Sequence, residues 1–83
     1  MFTVIIAPKA KRQLKLIPKR FESVISLIIR ELKEDPFYWK PLTRELIGKF
    51  SSKVGPFRII YIVNEKDKIV NIISVGHRGV VYK

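Results

Sequence analysis

The residues of this chain best suited to chemistry lie near its C-terminal end and are basic or aromatic. Arg58 opens a run of β-branched and aromatic residues, and His77, Arg78 and Tyr82 follow the end of the next such run. In neighbouring antiparallel strands the start of one strand lies beside the end of the next. We therefore expect Arg58 and the segment that begins at His77 to lie close together at one edge of a sheet.

Two lysines precede this set and are expected to reach the same edge. Guanidinium groups bind phosphate through paired hydrogen bonds, and fixed cations stabilise the extra negative charge of a pentacoordinate phosphorane. Tyrosine can stack on a base or transfer a proton. Residues of these types favour chemistry on a phosphodiester, and the candidate catalytic residues are Arg58, Arg78, Tyr82, Lys49 and Lys53.

Each of these residues also has a simpler structural interpretation, which the sequence leaves open. The basic set can be plain electrostatic surface. Arg58 can form an ion pair with an acidic residue such as Asp67 or Glu45. In the same way, His77 can be an ordinary turn residue and Tyr82 an aromatic residue of the core.

Composition excludes most other kinds of site. The 83-residue chain has 17 Lys and Arg against 7 Asp and Glu, no cysteine and one histidine, for a formal net charge of +10. Without cysteine, and with scattered carboxylates, we predict no metal site and no cofactor. The four glycines are dispersed, so no glycine-rich phosphate loop is predicted. The charge predicts a polyanionic partner, which can be nucleic acid, an anionic membrane or an acidic protein.

Much of the positive charge lies in the first 20 residues, which carry six cations and no acidic residue. These cations alternate with apolar residues at helical spacing, so they predict an amphipathic helix with a cationic outer face. A solvated helix face is the simplest interpretation, but such a face also binds phosphates without sequence preference. The candidate RNA-binding residues are Lys9, Lys11, Arg12, Lys15, Lys19 and Arg20, together with His77.

The first half of the chain predicts one strand and two helices. Residues 2–6 are rich in Val, Ile and Phe and predict a strand. Apolar residues at helical spacing predict a helix over 8–17, which Pro18 interrupts, and a second over 21–32. The N-terminal apolar stretch is too short for a signal peptide or a membrane span and has no basic region before it, so we expect a cytoplasmic protein.

The second half predicts a hairpin of two strong strands, at 57–63 and 69–75. Weaker signals predict a strand at 50–54, a helical turn at 43–47 and a short strand at 80–82. We therefore expect one α+β domain spanning residues 1–83. Its two N-terminal helices form a helical hairpin packed on a largely antiparallel three- to four-stranded sheet, in the order β-α-α-β-β-β.

The connection between the two halves carries three consecutive aromatic residues at 37–39. Such a run can form a platform on which bases stack. It can equally form a hydrophobic cover over the sheet, and the sequence favours the cover.

Four blocks of the sequence form a familiar pattern. IIAPKAKRQL at 5–14 is followed by LIP at 16–18, GPFRIIY at 55–61 and VGHRGVVY at 75–82. Their order and spacing resemble the RelE/ParE superfamily of bacterial and archaeal toxins, and the RelE-like members in particular. The last two blocks are similar to the family's Gly-x-Tyr-Arg-x-x-Tyr strand and Val-Gly-His-Arg-x-x-x-Tyr ending. Phe57 departs from this pattern, because it keeps the ring and lacks the tyrosine hydroxyl.

The resemblance implies a toxin that inhibits translation by cleaving mRNA in the ribosomal A site. The 2′-hydroxyl would attack the adjacent phosphate and leave a 2′,3′-cyclic phosphate and a 5′-hydroxyl, without a metal ion or small-molecule cofactor. By carry-over, Arg58 would stabilise the phosphate in the transition state, Arg78 would bind it and assist the leaving oxygen, and Tyr82 would be a general base or stack on a base. The implied partners are a cognate RelB-type antitoxin, the ribosome and mRNA, with no membrane.

Two other functions stay open. ParE-like relatives share the fold, lack the ribonuclease residues and act on DNA gyrase, so a non-nuclease inhibitor of gyrase is the main alternative. Retention of Arg58, Arg78 and Tyr82 together favours the ribonuclease branch. The third possibility is a basic domain whose only role is to bind RNA or an acidic protein.

Overall fold

Two helices cover one face of a mixed five-stranded sheet in this α+β fold. The computed structural model describes residues 1–38, 40–41 and 48–77. In chain order the elements are β1 (Thr3–Ile6), α1 (Pro8–Leu14), a 3₁₀ turn (Lys19–Phe21), α2 (Glu22–Glu34), β2 (Lys40–Pro41), β3 (Lys49–Val54), β4 (Phe57–Asn64) and β5 (Ile69–His77). The strand order in the sheet is β1-β5-β4-β3-β2.

The predicted hairpin of β4 and β5 is confirmed and forms the centre of the sheet. Both strands are rich in β-branched residues, which pack well on a pleated, buried surface. The connecting turn is closed by Asn64, whose Oδ1 accepts the Asp67 N–H at 3.0 Å while its Nδ2 donates to Asp67 Oδ2 at 3.1 Å. Such local side-chain bonds stabilise a turn without help from the core.

The turn between β3 and β4 is made by Gly55 and Pro56 alone. Gly55 has a φ of +57°, which side-chain-bearing residues rarely adopt. A methyl group added at Gly55 would also lie 2.8 Å from a ring carbon of Phe21, because the turn packs closely against that ring. The glycine is therefore required both by the backbone and by the 3₁₀ turn beside it.

The first strand pairs with β5 in parallel, from Thr3↔Ile69 to Ile6↔Ile72. The other described pairings are antiparallel, as expected for a largely antiparallel sheet. The start of β1 is held by two further backbone bonds, in which the Phe2 N–H donates to Lys33 O and the Thr3 N–H to Lys68 O, both at 2.8 Å. The first of these bonds also satisfies a carbonyl at the end of α2.

Both predicted helices form, with somewhat different bounds. Pro8 starts α1 at the position where a missing N–H has no effect on helix bonding. This helix ends at Leu14, three residues before the predicted end, and Leu16 is consequently 84% exposed. The first helix packs on β5, whereas α2 packs on β1 and β3, so the contact of a helical hairpin stays a prediction. Within the described residues, neither helix has the length and apolar run that crossing a bilayer requires.

The core lies between the helices and the inner face of the sheet. Tyr61 is fully buried in it, where its ring stacks on Phe50 at 5.4 Å and its hydroxyl donates to Pro36 O at 2.7 Å. The buried apolar cluster consists of Phe2, Ala10, Ile25, Ile28, Leu32, Val54, Ile59, Tyr61, Val70, Ile72 and Val75.

The aromatic segment at 37–39 is described in part. Phe37 makes edge-to-face contacts with Phe2 at 6.0 Å and Phe50 at 5.9 Å, as expected for a hydrophobic cover. Tyr38 is 73% exposed. Trp39 lies outside the described residues.

Among the described residues the sheet has five strands, more than the predicted three to four. The addition is the two-residue β2, which pairs Lys40 with Ser51 and Pro41 with Phe50. A pairing of two residues carries too little periodicity to be recognised in a sequence. The helical turn predicted at 43–47 and the strand predicted at 80–82 lie outside the described residues.

Candidate active site

Lys53 and Arg58 lie directly opposite each other on β3 and β4. The two-residue turn sets this register, because it pairs Val54 with Phe57 and therefore Lys53 with Arg58. Directly opposite residues project from the same face of a sheet, with Cβ atoms about 5 Å apart. The two cations are therefore neighbours at the turn end of this hairpin, where one phosphate group can contact both.

The face that carries these two cations is turned away from the helices. Side chains alternate along a strand, and the adjacent residues Val54 and Ile59 lie in the core beneath the helices. Lys53 is exposed and Arg58 is half-buried. A half-buried guanidinium is less screened by water and salt than an exposed one, so its attraction for a phosphate is stronger.

Lys49 shares this face but does not lie beside Arg58. It pairs with Ile62 at the other end of β3, four residues from Lys53. At about 3.3 Å per residue, this places its Cα about 13 Å along the strand from the Lys53–Arg58 pair. The structure thus brings Lys53, and not Lys49, to the edge predicted for both lysines.

The end of β5 flanks Arg58 on its other side. Gly76 pairs with Arg58, and His77 pairs with Phe57. Gly76 itself contributes no side chain beside the guanidinium. His77 projects to the opposite face, where its ring contacts Phe57 at 5.9 Å. Arg58 and His77 therefore share one end of the sheet, as predicted, but not one face.

The ion pair with Asp67 that the sequence left open for Arg58 does not form. Asp67 follows the far end of β4, where it bonds to Asn64. Six residues of strand separate Arg58 from Asn64, which corresponds to about 20 Å. Glu45, the other acidic residue considered, lies outside the described residues.

Two candidate catalytic residues, Arg78 and Tyr82, also lie outside the described residues. The chain enters Arg78 directly from His77, the last residue of β5. Their proposed roles stay predictions.

The N-terminal cations are all exposed, but on the other side of the molecule. The helix α1 packs on the inner face of the sheet, with Ala10 fully buried in the core. The basic surface consists of Lys9, Lys11, Arg12, Lys15, Lys19 and Arg20. It is thus separated by the sheet from the Lys53–Arg58 pair.

A row of aromatic rings connects this basic surface with the end of β5. The Arg20 guanidinium lies over the Phe21 ring, 4.9 Å from its centroid. The Phe21 ring lies 5.4 Å from Phe57, which in turn contacts His77. The row gives the helical face a mixed cationic and aromatic surface next to the candidate site, and surfaces of this kind bind single-stranded nucleic acid.

One polar contact near the site was missed in the sequence. Gln13 Oε1 accepts the Val75 N–H at 2.6 Å and the Ser74 Oγ–H at 3.4 Å. The sequence does place Gln13 at helical spacing with Ala10 and Leu14, so a polar side chain on the otherwise apolar, inward side of α1 could have been noticed. Among the residues that the structure describes, no three His, Asp or Glu side chains come together as metal ligands do.

Comparison with known proteins identifies the family of this chain. The sequence model of the family described as the ParE toxin of the type II toxin-antitoxin system parDE matches residues 4–82. Toxin RelG of Mycobacterium tuberculosis (strain ATCC 25618 / H37Rv) is 34% identical, over 99% of this chain and 97% of RelG.

Solved structures give the same result for the fold. A chain of the toxin-antitoxin complex RelBE2 from Mycobacterium tuberculosis is 34% identical and superposes with a TM-score of 0.82, over 93% of this chain and 98% of that one. A chain of the archaeal RelE-RelB complex from Pyrococcus horikoshii OT3 is 24% identical, with a TM-score of 0.78 over 96% of this chain and 98% of that one, and supports the fold alone. By sequence and by fold, the chain belongs to the RelE/ParE superfamily of type II toxin-antitoxin toxins.

Proposed function

We propose that this toxin is a ribosome-dependent endoribonuclease that cleaves mRNA. The observation that carries the proposal is the Lys53–Arg58 pair beside Gly76, at the strand end from which the chain runs into Arg78. The two paired cations can stabilise the negative charge that develops during cleavage of a phosphodiester, and Arg78 is proposed to add a third. Oriented cations of this kind account for much of the rate enhancement in enzymes that stabilise charged transition states.

The proposed reaction is an internal transesterification. The 2′-oxygen of the mRNA forms a bond to the adjacent phosphorus while the bond from phosphorus to the 5′-oxygen breaks, which leaves a 2′,3′-cyclic phosphate and a 5′-hydroxyl. Tyr82 acts as the general base and takes the proton of the 2′-hydroxyl. Arg58 and Lys53 stabilise the phosphorane, and Arg78 binds the phosphate and assists the departing 5′-oxygen, which takes up a proton from solvent to become the 5′-hydroxyl. Lys49 holds a neighbouring phosphate.

The exposed N-terminal cations are proposed to dock the toxin on ribosomal RNA. Contacts between cations and phosphates position a protein on RNA without reading its sequence. His77 and the neighbouring aromatic row would extend this contact toward the mRNA. Since translation takes place in the cytoplasm, the proposal places the protein there.

The proposed protein partner is a RelB-type antitoxin. The support is that the structurally similar chains from Mycobacterium tuberculosis and Pyrococcus horikoshii come from complexes with such antitoxins. A net charge of +10 favours an acidic partner that covers the Lys53–Arg58 face.

The test is primer extension across an mRNA translated in vitro with the purified toxin. We expect cleavage within the A-site codon by the wild type and a loss of about 10²-fold or more in rate for Arg58→Ala or Arg78→Ala. Lys66→Ala is the matched control, because it removes one positive charge from the exposed turn between β4 and β5, at the far end of the sheet. Identical mRNA profiles for wild type and both arginine variants would contradict the proposal.

A gyrase inhibitor is the alternative, and the match to the family of ParE toxins favours it. In that case the toxin would block DNA supercoiling and leave translated mRNA intact. A supercoiling assay run beside primer extension separates the two functions.

A further inference from the structure

The end of β5 projects beyond the strand that pairs with it. The pairing of β1 with β5 stops at Ile6↔Ile72, and one further bond, from the Ala7 N–H to Ile72 O at 2.9 Å, closes the ladder. The residues of β5 that follow pair with β4, and no other strand among the described residues pairs with them. Val75 belongs to this segment and is 1% exposed, so its outward N–H needs a partner inside the protein.

Gln13 supplies that partner from α1. Its Oε1 accepts the Val75 N–H at 2.6 Å, and the Ser74 hydroxyl donates to the same oxygen at 3.4 Å. The side chain thus continues the hydrogen-bonding edge of the sheet past the end of β1. Because α1 is itself held on the core through Ala10, the acceptor is fixed in place.

The segment that Gln13 holds is the one that borders the candidate site. Gly76, which follows Val75, pairs with Arg58, and His77 leads into Arg78. The position of this segment therefore determines where the end of β5 lies relative to Arg58. On the side away from β4, the structure describes one backbone hydrogen bond of this segment, from the Val75 N–H to Gln13 Oε1.

We propose that Gln13 is a positioning residue for RNA cleavage, which it supports by holding the last residues of β5 in register with Arg58. This inference rests on the proposed nuclease function. Loss of the acceptor would free the Val75 N–H to bond with water, since Gln13 lines a surface cavity of about 230 Å³ next to Val75 and His77. The strand end would then fray, and the site would lose its geometry without losing its charges.

The experiment compares wild type with three variants at Gln13. Gln13→Met keeps the size of the side chain and removes the acceptor. Gln13→Asn keeps the amide but is shorter by one carbon–carbon bond of about 1.5 Å, so it cannot reach Val75. Gln13→Glu keeps the reach and the acceptor oxygen, so it is the rescue variant. A thermal unfolding curve for each variant establishes that the protein compared is folded.

Two measurements are made on each folded variant. The first is single-turnover mRNA cleavage on programmed ribosomes, with the toxin titrated to saturation. For Gln13→Met and Gln13→Asn we expect the maximal rate to fall by about 10-fold to 10²-fold, with the half-saturating toxin concentration unchanged, because displacing catalytic groups slows the chemical step. Gln13→Glu should return the rate to within a few-fold of wild type. The second is amide hydrogen exchange, in which Val75 to His77 should lose protection in the first two variants and keep it in Gln13→Glu.

Several results would overturn the inference. The inference fails if Gln13→Met keeps the wild-type cleavage rate and the wild-type amide protection. It also fails if Gln13→Glu restores neither the cleavage rate nor the protection of Val75 to His77, or only one of them. A rise in the half-saturating concentration alone would assign Gln13 to ribosome binding instead. If the wild type leaves mRNA intact, the proposed function has failed, and the exchange data still decide whether Gln13 holds the end of β5.

Discussion

Replacing Tyr61 with phenylalanine removes a single hydroxyl from the centre of the core. That hydroxyl donates to Pro36 O at 2.7 Å, and both residues are fully buried. The variant leaves a buried carbonyl without its partner, so we expect a loss of about 1–3 kcal/mol in the free energy of unfolding at pH 7. For a domain of this size, each kcal/mol lowers the unfolding temperature by about 4–8 °C.

The difference between wild type and Tyr61→Phe should shrink at alkaline pH. Burial, and to a smaller extent the carboxylate of Asp35, raises the pKa of the Tyr61 hydroxyl. Unfolded tyrosine loses its proton near pH 10, so above this pH the unfolded state binds fewer protons than the folded state. The contribution of Tyr61 is therefore complete below pH 10 and falls by up to about 1.4 kcal/mol per pH unit above it, until the raised pKa is reached. A difference of about 2 kcal/mol at pH 7 would close near pH 11.5.

Urea unfolding followed by far-UV circular dichroism measures this difference directly, at pH 7, 9, 10.5 and 11.5. Both proteins carry the same remaining titratable groups, so subtraction leaves the contribution of the Tyr61 hydroxyl. Tyr38→Phe, which alters a side chain that is 73% exposed, is the control for removal of a hydroxyl at pH 7 and should change stability by less than about 0.5 kcal/mol. A difference between wild type and Tyr61→Phe that stays constant up to pH 11.5 would refute the reasoning.

Three further predictions concern the site and its supports. Lys53→Met should slow mRNA cleavage by about 10-fold or more, whereas Lys49→Met should mainly raise the half-saturating toxin concentration. If both variants lowered the maximal cleavage rate equally, the result would contradict the different positions of the two lysines relative to Arg58. Gly55→Ala should destabilise the protein by at least about 1–2 kcal/mol in urea unfolding, because it imposes an unfavourable φ and crowds the Phe21 ring, and unchanged stability would count against that packing. Lys11→Gln should leave the maximal cleavage rate unchanged but weaken ribosome binding. Binding titrations at several salt concentrations should show a slope of log affinity against log salt that is smaller by about one phosphate contact.

Local signals in the sequence are sufficient for the elements that depend on neighbours along the chain. The β4–β5 hairpin follows from two β-branched runs and a polar turn, and α2 from its apolar stripe and the Asp35-Pro36 stop. The Gly55-Pro56 turn also fixes which lysine meets Arg58, because a two-residue connection pairs Lys53 with Arg58.

Features that depend on distant partners could not be predicted in this way. The parallel pairing of β1 joins Thr3 to Ile69, and no periodicity relates those two segments. The end of α1 at Leu14 was misplaced because Leu16 and Ile17 continue the apolar pattern after the helix has stopped. Helical spacing places Gln13 on the inward side of α1, but its bond to Val75 also depends on β5 extending beyond the end of β1. The roles of Arg78 and Tyr82 depend on the family resemblance.

The position of β5 has a consequence for how the toxin is made. This strand lies between β1 and β4 in the sheet, yet it is the last strand in the described part of the chain. During synthesis from the N-terminus, β1 cannot pair until residues 69–72 have been synthesised. Pairing between segments so far apart in the chain is also slow. The end of the sheet at which Gly76 pairs with Arg58 can therefore form only after residues 69–77 have been synthesised.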